Sequence, residues 1–134
     1  MSRSMLREHI FILIFMSEFN STEEMPNETR LYFENMEKPA DDEDRAYIEQ
    51  KSAKILEKKS EIDNLIDEKA DKWKTDRMGK VELAVLRLSF YEILFDEDIP
   101  VKVAINEAVE LAKKFGQDGA GSFVNAILAK VADE

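Results

Sequence analysis

One histidine, His9, and no cysteine are all that this chain offers to nucleophilic chemistry. A Ser-His-Asp arrangement would have to be built on His9, which stands beside Arg7 and Glu8 near the N-terminus. A solvent-facing or helix-capping histidine is the simpler reading of that position. The missing cysteines exclude disulfides, thiolate zinc sites and thiol nucleophiles together, and fit a reducing compartment. The run Asp41-Asp42-Glu43-Asp44 has neither the alternating ligand spacing nor the central glycine and distant glutamate of a calcium loop. It reads as negative charge favoured at a helix N-terminus. A di-iron bundle needs two Glu-x-x-His pairs, which one histidine cannot supply. Neither GxxxxGK[ST] nor a strand followed by GxGxxG is present, so the chain has no dedicated nucleotide cradle. We expect no enzyme, no metal and no cofactor.

What remains is binding chemistry, and helices must position it. The 134 residues are 44% apolar and 36% charged, a composition for one globular domain with a single core. The net charge of −10 argues against a nucleic-acid binder that works by bulk charge. That charge is uneven. Residues 1–16 carry two arginines and one glutamate, a formal +1, residues 17–50 a formal −8, and residues 51–134 a formal −3. The longest apolar run, Ile10 to Met16, is far below the ~20 residues of a membrane span. With Glu8 and His9 at its border and no small-x-small cleavage pattern after it, it does not read as a signal peptide. A cytoplasmic protein is expected.

Scarce glycine and proline, placed between periodic segments, predict an all-α fold. A first helix over about 4–19 carries the stripe Leu6, Ile10, Leu13, Ile14, with Phe11 and Phe15 alongside. A short second helix over 28–36 places Leu31, Tyr32 and Met36 on one face. From Asp42 to Trp73 the stripe Ile48, Ile55, Ile62, Leu65, Ile66, Trp73 predicts two helices meeting near Lys59-Ser60, or one bent helix, with Asp41 able to cap its start. The segment 77–95 is apolar nearly all round and belongs at a bundle's centre, its Arg87 and Glu92 reaching the rim because unpaired buried charge is costly. A helix from Pro100 or Val101 buries Val101, Ala104, Ile105, Ala108, Leu111, Ala112 and Phe115 and stops at Gly116. The last, about 120–131, buries Phe123, Val124, Ile127, Leu128 and Val131.

The second half also carries a family pattern. Trp73-Lys74-Thr75-Asp76-Arg77-Met78, Val81-Glu82, Ala84-Val85-Leu86-Arg87-Leu88 and Tyr91-Glu92-Ile93-Leu94 resemble the middle of the NusB family. Asp98-Ile99-Pro100-Val101-Lys102-Val103-Ala104-Ile105-Asn106-Glu107-Ala108-Val109-Glu110-Leu111-Ala112-Lys113 continues the likeness, which Phe115-Gly116 and Phe123-Val124-Asn125 with Ile127-Leu128 complete. The first half is similar more loosely, through Ser2-Arg3 and Arg7-Glu8 before an apolar helix. The resemblance implies a bundle of about seven helices in one domain, its halves dividing near residue 73. It also implies a bacterial transcription antitermination factor that binds boxA-type nascent RNA as a heterodimer with NusE, a small-subunit ribosomal protein, within the RNA polymerase antitermination complex.

The same resemblance implies the site residues. The family's arginine-rich N-terminus maps onto Ser2–Arg7, where this chain keeps Arg3 and Arg7 for phosphates and stacked bases. Phe15 stands where the family usually has a tyrosine, and would stack without the hydroxyl. Lys113, Lys114, Phe115 and the loop residues Gln117, Asp118 and Ser122 complete the RNA side, with Gly119 where the family often has an acid. Read without the family, Lys113 and Lys114 pair with Glu110 and favour a helix C-terminus. Glu82 is a candidate partner contact or a solvent-facing acid in a first turn. Asn106 and Asn125 read as buried amides satisfying backbone, and Phe123 as core. The alternative function is a helical protein–protein module, pairing with itself or with NusE, that has lost most RNA affinity. A third is the accessory RNA-binding domain of some RNA cytosine methyltransferases, with catalysis supplied by another chain.

Overall fold

Local capping decides where the helices begin. In the computed structural model, which describes residues 1–132, seven α-helices and one 3-10 turn form the chain, with no strand among the described residues. Helix α1 (Arg3–Met16) starts because Ser2 Oγ accepts the Met5 N–H at 3.1 Å. It stops three residues earlier than the stripe predicts, since Ser17 Oγ donates to the Ile14 carbonyl and the chain turns. Helix α2 (Met25–Glu34) starts earlier than predicted. Ser21 N–H donates to Glu24 Oε1 at 2.7 Å and Glu24 N–H donates to Ser21 Oγ at 3.2 Å, a reciprocal capping box. Pro26 therefore sits inside the first turn, where its missing N–H costs nothing.

Asp41 caps helix α3 (Asp42–Glu57) as expected, its Oδ1 accepting the Asp44 N–H at 2.8 Å. The break before helix α4 (Lys59–Lys69) falls at Lys58, and the Lys58 carbonyl already accepts the Ile62 N–H. Ser60 lies within α4 and caps nothing. After Ala70 the backbone enters a left-handed turn at Asp71, φ 52°, so Trp73 stands beyond the helix and is 51% exposed instead of closing its stripe. The 3-10 turn Thr75–Arg77 is held by Asp67, whose Oδ1 accepts the Thr75 N–H at 2.7 Å.

Helix α5 (Lys80–Phe95) is followed by α6 (Val101–Phe115) and α7 (Ala120–Ala132). Contacts divide the chain into two compact units, Met1–Leu56 and a second from Glu57 on, so α4 counts with α5–α7. In the second unit α5 lies among α4, α6 and α7 and is buried from Leu83 to Glu92. That enclosure overturns the expectation for its two charges. Arg87 is 3% and Glu92 1% exposed. The Arg87 fork is met by Asp63 of α4, Nε to Oδ1 at 2.8 Å and Nη2 to Oδ2 at 2.9 Å, so the charge enters the interior paired.

Stripe positions at helix ends also differ from expectation. Val101 and Phe115 are exposed, Leu6, Leu65, Ile105 and Phe123 are half-buried, and the remaining predicted core residues of α6 and α7 are buried. Asn106 and Asn125 are exposed, not buried amides. In the first unit Ile10, Phe11, Leu13 and Ile14 of α1, Phe33 of α2, and Ile48 and Ile55 of α3 are buried. No helix among the described residues is long and apolar enough to cross a membrane. No group of three His, Asp or Glu side chains among them is placed to hold a metal.

Candidate nucleic-acid interface

The cationic end of α1 belongs to the first unit. Arg3 and Arg7, four residues apart, share a helix face, yet Arg3 is exposed while Arg7 is 4% exposed. Phe15 lies twelve residues from Arg3, about 18 Å along the helix and about 120° round it. It is half-buried between Phe11, at 6.2 Å between ring centroids, and the exposed Phe19, at 5.1 Å edge-to-face. Helical geometry thus separates Arg3 from the aromatic row.

His9 takes no exposed role. Its Nδ1 lies 2.5 Å from the Tyr32 hydroxyl of α2. Burial pushes the Tyr32 pKa up to about 12, helped by the charge of Glu8, so the hydroxyl keeps its proton. Burial also lowers the His9 pKa against the opposing pull of Glu8. With Nε2 carrying the ring proton, Tyr32 donates to a neutral His9.

The second unit gathers its candidates at one corner. Helix α6 ends at Gly116, where a β-carbon would stand 2.7 Å from both the Ala112 carbonyl oxygen and Ala120 Cβ, so only glycine lets α7 approach this closely. Gly119 has φ +88°, completing the turn. Lys113, Lys114, Phe115, Gln117, Asp118 and Ser122 are all exposed around this turn. Lys114 Nζ sits 5.4 Å over the Phe115 ring, a cation beside a stacking surface. The stem of Lys113 crosses Gly121, whose β-carbon would lie 3.0 Å from Lys113 Cγ. Lys113 Nζ is 3.9 Å from Glu110 with both side chains mostly exposed, a loose pair that leaves the ammonium able to meet another anion.

Glu82, at the start of α5, is half-buried. Its carboxylate occupies the space a β-carbon at Gly79 would need and reaches to within 3.5 Å of such a position on Gly116, so it joins the starts and ends of α5 and α6. It lines a cavity of about 270 Å³ with Trp73, Arg77, Asp118 and Phe123. Trp73 and Phe123 also line a second cavity of about 350 Å³ beside Asp71 and Lys130, whose Nζ bonds Asp71 at 2.7 Å and the Lys69 carbonyl at 3.1 Å. Sequence reasoning assigned both aromatics to the core. The one local sign of exposure was the flanking Lys72 and Lys74.

The NusB family model matches residues 4–133. The chain is 51% identical to the transcription antitermination protein NusB of Agathobacter rectalis over 132 residues, 98% of this chain and 100% of that one. Its fold is similar to that of T. maritima NusB, with a TM-score of 0.87 and 35% identity over 100% of this chain and 92% of the other. A structure of the antitermination factors NusB and NusE in complex with double-stranded RNA matches with a TM-score of 0.78 and 25% identity, over 98% of this chain and 96% of that one.

Proposed function

The chain belongs to the NusB family, and from that premise we propose that it is a transcription antitermination factor that binds boxA-type nascent RNA together with a NusE partner. The observation that carries the reading is the α6–α7 corner, where two lysines and a phenylalanine are exposed in sequence beside a glycine-shaped turn. Lys113 and Lys114 supply phosphate contacts, Phe115 a stacking face, and Gln117, Asp118 and Ser122 hydrogen-bonding groups for unstacked bases. On the first unit Arg3 offers an exposed guanidinium. Arg7, being buried, acts by holding α1, and Phe15 presents its half-exposed ring through the aromatic row.

The partner contact falls to Glu82 with the exposed Trp73 and the half-buried Phe123 around it, an apolar surface with an acidic edge that suits a basic ribosomal protein. The protein acts by binding, in the cytoplasm with the RNA polymerase antitermination complex, and catalyses no step. The second reading, a protein–protein module with weak RNA affinity, is favoured by the burial of Arg7 and the net charge of −10.

Titration of labelled boxA RNA with this protein, alone and with NusE, tests the choice. Salt-sensitive binding supports the RNA reading, and none in either mixture overturns it in favour of the second. Replacing Lys113 and Lys114 by alanine removes two phosphate contacts and lowers the slope of log affinity against log salt by about 1.4. An unchanged slope removes the lysine pair from the site.

A further inference from the structure

The first unit holds a groove of about 1080 Å³, and none of the surfaces assigned above uses it. Its lining holds four of the six methionines, Met1, Met5, Met16 and Met36, beside Leu31 and Tyr32. Met5, in the first turn of α1, and Met1, just ahead of the helix, are 48% and 40% exposed, two large apolar side chains open to solvent. Unbranched thioether side chains adapt to the shape of an apolar partner, which is why methionine-rich surfaces receive amphipathic helices. The edge of the groove is acidic. Glu28, Glu37, Asp41 and Asp44 stand on it against Lys38 and the Met1 ammonium, which Asp44 binds at 3.0 Å. The rest of its lining, from Glu28 to Asp44, comes from the segment 17–50 with its formal −8.

We infer that this groove is a docking site for a cationic amphipathic helix of a partner protein, its apolar face on the methionines and its lysines or arginines on the acidic edge. Charge selects this occupant. RNA and anionic lipid surfaces would meet like charge along the edge, and a second copy of this chain would bring a matching acidic segment. The groove shares no residue with the α6–α7 corner, so the inference stands independently of the RNA reading.

The six methionine methyl groups report on it directly. The protein, labelled with carbon-13 at its methionine methyls, is titrated with a helical peptide of leucine and lysine about four turns long, its leucines on one face. The expected result is that the signals of Met1, Met5, Met16 and Met36 move while those of Met25 and Met78, outside the groove, stay in place. A peptide with glutamate in place of lysine leaves all six unmoved. Replacing Glu28 and Glu37 by glutamine weakens the lysine peptide about five-fold. Unmoved groove methionines, or equal movement of all six, overturn the inference. Movement of the same four with boxA RNA assigns the groove to RNA, and movement with protein concentration alone assigns it to a second copy; either outcome also overturns it.

Discussion

In the second unit α5 lies within three other helices, and its ten central residues are buried. Even its arginine is enclosed, with a carboxylate in register to meet it. The first unit is organised differently. Its helices are tied at particular points: His9 to Tyr32, the Arg45 guanidinium 4.8 Å over the Phe33 ring, and the Met1 ammonium to Asp44. Between these ties it keeps a wide methionine-lined groove. One unit is defined by burial, which is strong and non-directional, and the other leans more on directional contacts, each individually modest. The first arrangement gives a rigid frame that holds the α6–α7 corner in one shape. The second leaves apolar surface open for recognition.

Three substitutions press on this contrast, in descending order of effect. Phe90→Ala, at a fully buried position of α5, is expected to lower unfolding stability by about 4 kcal/mol in urea titrations. A loss below that of a first-unit tie would break the comparison. Asp63→Ala leaves Arg87 in the interior without its bidentate carboxylate and is expected to cost about 3 kcal/mol. Replacing Asp63 and Arg87 together by leucine and methionine should recover most of that loss; failure to recover would place the cost in packing rather than in charge.

Tyr32→Phe removes one tie of the first unit and is expected to cost about 1 kcal/mol. The same tie gives a pH dependence. Burial, opposed by Glu8, holds the folded His9 pKa below its ordinary 6.5, so the unfolded chain takes up its proton at higher pH. The contribution to stability is therefore complete above about pH 6.5 and is lost as pH falls from there through the lower folded value. Nuclear magnetic resonance titration of the single histidine checks this, and a midpoint at or above 6.5 would show that the ring is not desolvated by the α1–α2 contact.

Much of the second unit was legible because its signals are local. Pro100 and Gly116 bracket α6 within one residue of where the structure places its ends, and α7 runs over nearly the predicted span. The start of α2 was missed because its capping box begins at Ser21, before the apolar pattern does. Of the candidate site, the exposed residues between Lys113 and Ser122 lie close together in sequence, and one turn displays them. Trp73 and Phe123 fit helical spacing and so read as core, although the turn at Asp71 carries Trp73 off its helix.

The sequence by itself determined the all-α class, the order of the helices, the buried stripes of α6 and α7, and the family pattern from Trp73 to Leu128. These depend on caps, breakers and the 3.6-residue period, all of which lie within a few neighbouring residues. Tertiary structure decided the fate of the polar and aromatic residues on those helices: Arg7, Arg87 and Glu92 enclosed, Asn106, Asn125 and Trp73 turned to solvent. A helical period shows which residues share a face, but only the neighbouring elements decide whether that face is covered and whether a carboxylate such as Asp63 waits opposite a buried charge.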